Sequence, residues 1–170
     1  MKETAYHEAG HAVVAVRLGC RFEYVTIIAD PDEGSAGHLK HLAEDQESRR
    51  HQMTTEEWHA SLALPEAERM RLFEEEEQRH LDAITVSIAG IAASARWHGD
   101  DWETMADELL YDQYDGDYAA VESLYSGLDD EGKERAYQMV SDDWGAVEAV
   151  AHALMERKTL TEDEVKELVT

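Results

Sequence analysis

The chain has 170 residues, enough for one domain with a hydrophobic core, and its apolar fraction of 43% is ordinary for a folded protein. Lysine and arginine number 15 against 39 aspartate and glutamate residues, which gives a formal net charge of −24 at pH 7. Such a surface repels nucleic acid and anionic lipid, so neither is an expected partner. The sequence has one cysteine, Cys20, no signal peptide and no apolar run long enough to cross a membrane. We therefore expect a cytoplasmic protein.

The first part of the chain is predicted to form a helix followed by a small β-hairpin. The segment Glu3–Leu18 repeats alanine and valine at helical spacing and is apolar on nearly every side, with Thr4 as its N-cap, so it should be a buried helix. β-Branched residues in Phe22–Ile28 indicate a strand, and Gly37–Leu42 follows a turn as a second short strand.

The rest of the chain is predicted to be helical. Thr54 and Thr161 each begin a T-x-x-E capping box, which marks the start of a helix. The expected helices are a charged, solvated one over Glu66–His80, a core helix over Asp82–Trp97, and further helices over Tyr118–Tyr125, Glu131–Val140 and Trp144–Arg157. The predicted fold class is mainly α (α+β), as a single domain over residues 1–170.

The residues His7-Glu8-Ala9-Gly10-His11 form the pattern HExxH within the first helix. Two histidines four residues apart lie on one face of a helix, where both imidazoles can reach one cation. Zinc suits imidazole ligands and tetrahedral geometry. Glu8, at the neighbouring edge, can take a proton from an attacking water molecule and pass it to a leaving amine. The pattern therefore predicts a zinc-dependent hydrolase with Glu8 as general base.

A catalytic zinc needs a third protein ligand and one open position. Composition alone does not choose among several acidic residues: Glu103, Asp107, Glu108, Asp112, Asp115 and Asp117. His38 and His41 are further candidates for a metal or catalytic role, although an ordinary surface role is the simpler interpretation of both.

Four segments, in order along the chain, resemble the peptidase part of the FtsH-type ATP-dependent zinc metalloproteases. Thr4–Ala12 is similar to that family's zinc-binding helix, and Val25–Ile28 to the strand after it. Residues 83–93 resemble the helix that packs behind the zinc site, and Ala153–Leu160 resembles the C-terminal signature.

The resemblance implies a helical zinc-metallopeptidase domain with a small β-sheet near the active site, and zinc held by His7, His11 and Asp117. The motif Asp117-Tyr118-Ala119 matches the family's third-ligand turn; Asp115 is the fallback, and an N-cap role for either aspartate is the competing interpretation. The family binds substrate along a strand edge, which corresponds here to Gly37–Leu42, and the resemblance implies Gly37, His38 and Leu39 as substrate-binding residues. An ordinary hairpin strand is the alternative.

The chain also departs from the family. We expect neither the family's ATP-driven unfolding domain nor its membrane anchors. Ser94 stands where the family usually has an acid, and Glu44–Asp82 looks like a charged helical insertion. We therefore expect a metalloendopeptidase, ATP-independent in itself, that cleaves unfolded or flexible polypeptides and works alone, with a partner protein or as a homo-oligomer. A specialised protease of one regulator and a catalytically inactive binding or regulatory module are the alternatives.

Overall fold

The structure, a computed structural model, describes residues 1–29, 36–42, 53–99, 101–112 and 129–169. These residues form seven helices and three strands. In chain order the elements are α1 (Lys2–Arg17), β1 (Phe22–Thr26), β2 (His38–His41), α2 (Thr55–Ser61), α3 (Glu66–His98), α4 (Trp102–Asp112), α5 (Asp129–Asp142), α6 (Trp144–Arg157), β3 (Thr159–Thr161) and α7 (Glu162–Val169). The fold is mainly helical with one small sheet, as the sequence predicts.

Helix α1 is the centre of the fold. It packs against α3 on one side and α6 on the other, and it also contacts α7, β1 and β2. Between Ala5 and Ala15 every residue except His7 is buried, which confirms the prediction from its all-round apolar sequence. The helix begins after Met1, its N-cap, and not at the predicted cap Thr4, so that prediction is wrong.

The sheet has three antiparallel strands in the order β2-β1-β3. The predicted hairpin is confirmed, with Val25 of β1 opposite Leu39 of β2. Strand β3 was not predicted, because we expected only helices after the hairpin. It contains three residues, too few for an alternating pattern, and it exists because Leu160 pairs with Val25 across more than a hundred residues.

Helix α3 is a single helix of 33 residues. The sequence analysis predicted two helices here, Glu66–His80 and Asp82–Trp97, and that division is wrong. The hydrophobic pattern changes near residue 81, but no glycine or proline interrupts the chain there, so the backbone continues as one helix. What changes at that point is the environment, from solvent to core.

The remaining helices complete the core around α1 and α3. Helices α4 and α5 both pack on α3, and α7 packs on α1 and α6. The predicted capping box at Thr161 is confirmed, since the Thr161 N–H donates to Glu164 Oε2 (2.9 Å) and the Glu164 N–H donates to Thr161 Oγ1 (3.3 Å). The predicted helix Tyr118–Tyr125 lies outside the described residues. Within the part of the chain that the structure covers, no helix is both long and apolar enough to span a membrane.

Candidate metal centre

The structure brings the two histidines of the HExxH pattern together on α1. His7 and His11 have ring centroids 4.7 Å apart, and their Nε2 atoms are separated by 3.0 Å. His11 is 5% exposed, whereas His7 is half-buried. The spacing of four residues places both imidazoles on one face, as predicted, and each ring directs a nitrogen lone pair or N–H towards the other.

The His11 ring is held by the backbone of α3. Its Nδ1 lies 2.7 Å from the carbonyl oxygen of Val86. A carbonyl can only accept, so Nδ1 carries the proton and the neutral ring has its lone pair on Nε2, the atom that faces His7. In metal sites, histidine ligands are commonly oriented in the same way, by a carbonyl that accepts a hydrogen bond from the ring nitrogen that does not bind the metal.

One face of α3 forms the wall behind both imidazoles. Val86, Gly90 and Ser94 lie four residues apart along it, and the Ser94 hydroxyl is 3.4 Å from His7 Nδ1. A side-chain carbon at Gly90 would overlap the His11 imidazole. The absence of a side chain at Gly90 therefore makes room for His11 against the helix.

By resemblance, sequence analysis assigned residues 83–93 to the helix behind the zinc site, but it gave Val86 and Gly90 no role of their own, and it noted Ser94 only as a departure from the family pattern. The sequence did contain a signal for Gly90. A glycine inside a helix destabilises that helix by about 1 kcal/mol relative to alanine, so a glycine at such a position usually serves close packing. Gly10 on α1 has the same role, since a Cβ there would lie 2.6 Å from the Cβ of Ala93. The two glycines let α1 and α3 approach closely at the site.

Glu8 lies next to the β2 edge of the sheet. Its side chain is 4% exposed, and a Cβ built on Gly37 would lie 2.9 Å from Glu8 Oε1 and 2.8 Å from the Thr26 carbonyl oxygen. The backbone just before β2 therefore passes directly over the Glu8 carboxylate. A side chain at residue 37 would fill this space, so a glycine is needed for the close approach.

The three predicted substrate-strand residues have different surroundings. Gly37 contacts Glu8, and Leu39 is half-buried against the core beneath the sheet. His38 instead packs on Tyr24, with ring centroids 5.6 Å apart and His38 Nε2 3.3 Å from the Tyr24 hydroxyl. Because neighbouring strand residues point to opposite faces, His38 is turned away from the face that carries Gly37 and Leu39.

The predicted third ligand, Asp117, and its fallback Asp115 lie outside the described residues. Among the residues that are described, no group of three or more histidine, cysteine, aspartate or glutamate side chains is placed to hold a metal ion. Of the acidic residues named on composition, Asp107 accepts a hydrogen bond from the Tyr137 hydroxyl (2.7 Å) and pairs with Lys133 (3.3 Å). Asp107 thus has a structural role between α4 and α5.

A scan against protein-family models gave no match to this chain, and a comparison with curated proteins gave none either.

Proposed function

We propose that the chain is a zinc-dependent metalloendopeptidase of the FtsH-like type, which cleaves unfolded or flexible polypeptides. Zinc would be held by His7, His11 and an aspartate, Asp117 by the resemblance described above. Glu8 would be the general base. The observation that carries the proposal is the pair of Nε2 atoms 3.0 Å apart, one of them on a ring whose other nitrogen donates to a backbone carbonyl.

The two imidazoles fit a tetrahedral zinc ion. Ligand nitrogens at 2.0–2.1 Å from one zinc ion, at the tetrahedral angle, lie about 3.3 Å apart. The measured separation of 3.0 Å between the Nε2 atoms of His7 and His11 is close to that value. The His11 ring already has the tautomer that a metal ligand needs, with its lone pair on Nε2.

Glu8 is suited to move a proton between water and a leaving amine. Bound zinc would polarise the scissile carbonyl and make an attacking water molecule more acidic. Glu8 follows His7 directly on α1, so its carboxylate lies beside the histidine pair and not on their face. It is buried beneath the backbone of Gly37, which keeps bulk water away from the proton that it would carry.

Strand β2 offers a place for an extended peptide. Among the strands that the structure describes it pairs only with β1, and it therefore forms one edge of the described sheet. An extended substrate can add to such an edge by main-chain hydrogen bonds, which suits flexible chains of varied sequence. Because the backbone at Gly37, just before β2, passes close to the Glu8 side chain, a peptide bound along this edge would pass close to the proposed base.

The test replaces the Glu8 carboxylate by an amide. We expect Glu8→Gln to bind zinc in the same stoichiometry as the unmodified protein while its cleavage of an unfolded protein such as labelled casein falls by about 10²–10⁴-fold, the usual contribution of general acid–base catalysis. Glu3→Gln is the matched control, because Glu3 is an exposed glutamate on the same helix. This control should keep full activity.

Two results would contradict the proposal. If Glu8→Gln cleaved casein as fast as Glu3→Gln, Glu8 would not be the base. If elemental analysis found no stoichiometric zinc in the unmodified protein, even after zinc was supplied, the result would contradict the enzyme assignment. It would favour the alternative, a catalytically inactive metallopeptidase-like binding module.

A further inference from the structure

The two histidines of α1 differ in the position of the ring proton. His11 Nδ1 lies 2.7 Å from the Val86 carbonyl oxygen, so Nδ1 carries the proton and Nε2 has the lone pair. That lone pair faces His7 Nε2 at 3.0 Å. Because two lone pairs at this distance repel, the neutral pair forms a hydrogen bond only if His7 Nε2 carries a proton and donates it to His11. His7 is therefore in the opposite tautomer from His11.

Ser94 on α3 contacts the other nitrogen of His7. The Ser94 side chain is 5% exposed, and its hydroxyl oxygen lies 3.4 Å from His7 Nδ1. Since the proton of His7 is on Nε2, Nδ1 accepts and the hydroxyl donates. The contact is long for a hydrogen bond, so Ser94 orients His7 more weakly than the Val86 carbonyl orients His11. The bonds all run in one direction, from the Ser94 hydroxyl to the Val86 carbonyl.

Zinc requires the other tautomer of His7. A metal binds the lone pair of a neutral imidazole, so zinc held by both Nε2 atoms needs the His7 proton on Nδ1. His11 already has its proton there, whereas His7 does not. When zinc binds, His7 must therefore lose a proton from Nε2 to solvent and gain one on Nδ1, which leaves the charge of the ring unchanged. Nδ1 then becomes a donor towards Ser94.

A hydroxyl group can serve both tautomers of His7. It has one proton and two lone pairs, and it rotates to suit its neighbours. Once Nδ1 donates to it, the Ser94 hydroxyl can turn its own proton to the Gly90 carbonyl, four residues earlier. Thr85 on the same helix makes the corresponding bond to the Leu81 carbonyl (2.7 Å). An ionised carboxylate at residue 94 could only accept, so it would favour the zinc-binding tautomer alone.

We propose that Ser94 is a positioning residue of the metal centre, and that its hydroxyl changes from donor to acceptor towards His7 when zinc binds. Ser94 would hold the His7 ring in both states. In exchange, zinc binds less tightly than it would beside a carboxylate. This inference rests on the proposed function, because it concerns the same zinc ion. The tautomer of His7 before zinc is added can nevertheless be measured by itself.

Nuclear magnetic resonance distinguishes the two tautomers directly. In nitrogen-15-labelled protein, correlations between ring protons and ring nitrogens show which nitrogen of each imidazole is protonated. The protein is first treated with a chelator and kept in mildly alkaline buffer, where neutral imidazole predominates. His7→Gln and His11→Gln assign the signals. We expect the proton on Nε2 of His7 and on Nδ1 of His11. One equivalent of zinc should move the His7 proton to Nδ1 and leave that of His11 in place.

Two variants of Ser94 should change zinc affinity in opposite directions. Ser94→Ala should weaken zinc binding by roughly tenfold, as the loss of a group that orients a metal ligand does. Ser94→Asp should tighten it, and His7 should carry its proton on Nδ1 even before zinc is added. Competition with a chelating dye measures the affinities. Ser61→Ala is the matched control, because Ser61 is also a buried serine and its hydroxyl donates to the Trp58 carbonyl (2.7 Å) on helix α2. This control should leave zinc affinity unchanged.

Two outcomes would overturn this inference and leave the proposed peptidase intact. The first is zinc-free unmodified protein whose His7 already carries its proton on Nδ1, because no exchange of donor and acceptor would then be needed. The second is equal zinc affinity in Ser94→Ala and Ser61→Ala. Both measurements remain decisive if Ser94→Asp fails to fold. Failure of the unmodified protein to bind zinc would instead refute the proposed function, and the inference with it.

Discussion

The two halves of α3 form one unbroken helix in opposite environments. None of residues 66–80 is buried, and the side chains there are mostly charged. In residues 81–98, twelve are buried, and they pack against α1, α4 and α5. The first half carries helix α2 beside it, through the contact of Trp58 with Phe73, and the second half carries the wall behind His7 and His11.

The comparison shows that one helical backbone can be stabilised in two different ways. The first half consists mainly of residues with high helix propensity, helped by local pairs such as Arg71 with Glu75 (3.4 Å). The second half contains β-branched residues and a glycine that favour helix less, and tertiary packing supplies the stability that they lack. Substitutions in the two halves should therefore have very different consequences.

The largest difference is expected for removal of apolar side chains. Ile88 is 1% exposed, so Ile88→Ala leaves a cavity and should lower the free energy of unfolding by about 2–5 kcal/mol. Leu72→Ala, in the exposed half, should lower it by less than about 1 kcal/mol. Urea denaturation followed by circular dichroism measures both. Similar losses in the two variants would mean that the first half is packed as tightly as the second.

A smaller effect is expected where α1 meets the buried half of α3. A Cβ at Gly10 would overlap the carbonyl oxygen of Ala89, and backbone cannot move aside cheaply, so Gly10→Ala should destabilise the fold by about 1–3 kcal/mol. It should also weaken zinc binding, because the helices that hold His11 are forced apart.

The matched control for Gly10 is a glycine in helix α6 with open space around it. Apart from its chain neighbours and the backbone of its own helix, no described atom lies within 4 Å of the position where a Cβ of Gly145 would stand. Gly145→Ala should therefore stabilise the protein by about 0.4–1 kcal/mol. Both substitutions replace glycine by alanine. Opposite changes in the midpoint temperature of thermal unfolding would therefore be caused by the close approach of α1 and α3 at Gly10. Equal effects would argue against that approach.

The third comparison is between a buried and a solvated carboxylate. Burial by itself raises the pKa of Glu162, but hydrogen bonds from Arg21, Lys166 and the Phe22 N–H outweigh it and hold that pKa below its ordinary value. Glu162→Gln should cost about 1–2 kcal/mol at pH 7. Glu75→Gln, in the exposed half of α3, should cost almost nothing.

The pH dependence of that comparison has a definite sign. A carboxylate with a lowered pKa in the folded state stabilises the protein above its unfolded pKa, about 4.3, and loses this contribution as the pH falls through the folded value. The difference in free energy of unfolding between the unmodified protein and Glu162→Gln should therefore be largest at pH 7 and decrease below about pH 4. Chemical denaturation at several pH values measures it. A gap that stayed constant with pH would show that the charge of Glu162 does not contribute.

Much of the fold was predictable from local patterns. Helix α1 follows from its alanine and valine spacing, and the hairpin follows from β-branched residues on either side of a turn. The predicted division of α3 into two helices is wrong because a change from polar to apolar residues does not by itself end a helix. No glycine or proline near residue 81 interrupts the backbone. Strand β3 was missed because a three-residue strand is defined by its partner, Val25, and not by its own sequence.

For the candidate site, the HExxH spacing predicted the meeting of His7 and His11 on one helix face, and the structure agrees. It did not predict the groups that surround them. The Val86 carbonyl that holds His11 belongs to a residue 75 positions away, and Gly37 reaches Glu8 only through the hairpin. The substrate strand, the third ligand and the zinc remain predictions.

The sequence by itself determined which residues share a helix face, because the α-helix repeats every 3.6 residues whatever surrounds it. That is why His7 and His11 could be paired, with Glu8 at the neighbouring edge, without a structure. Only the tertiary structure decided that Gly90 gives His11 its space and that Leu160 adds a strand. These features depend on close packing between residues far apart in the chain, and no local period encodes which distant surface will be met.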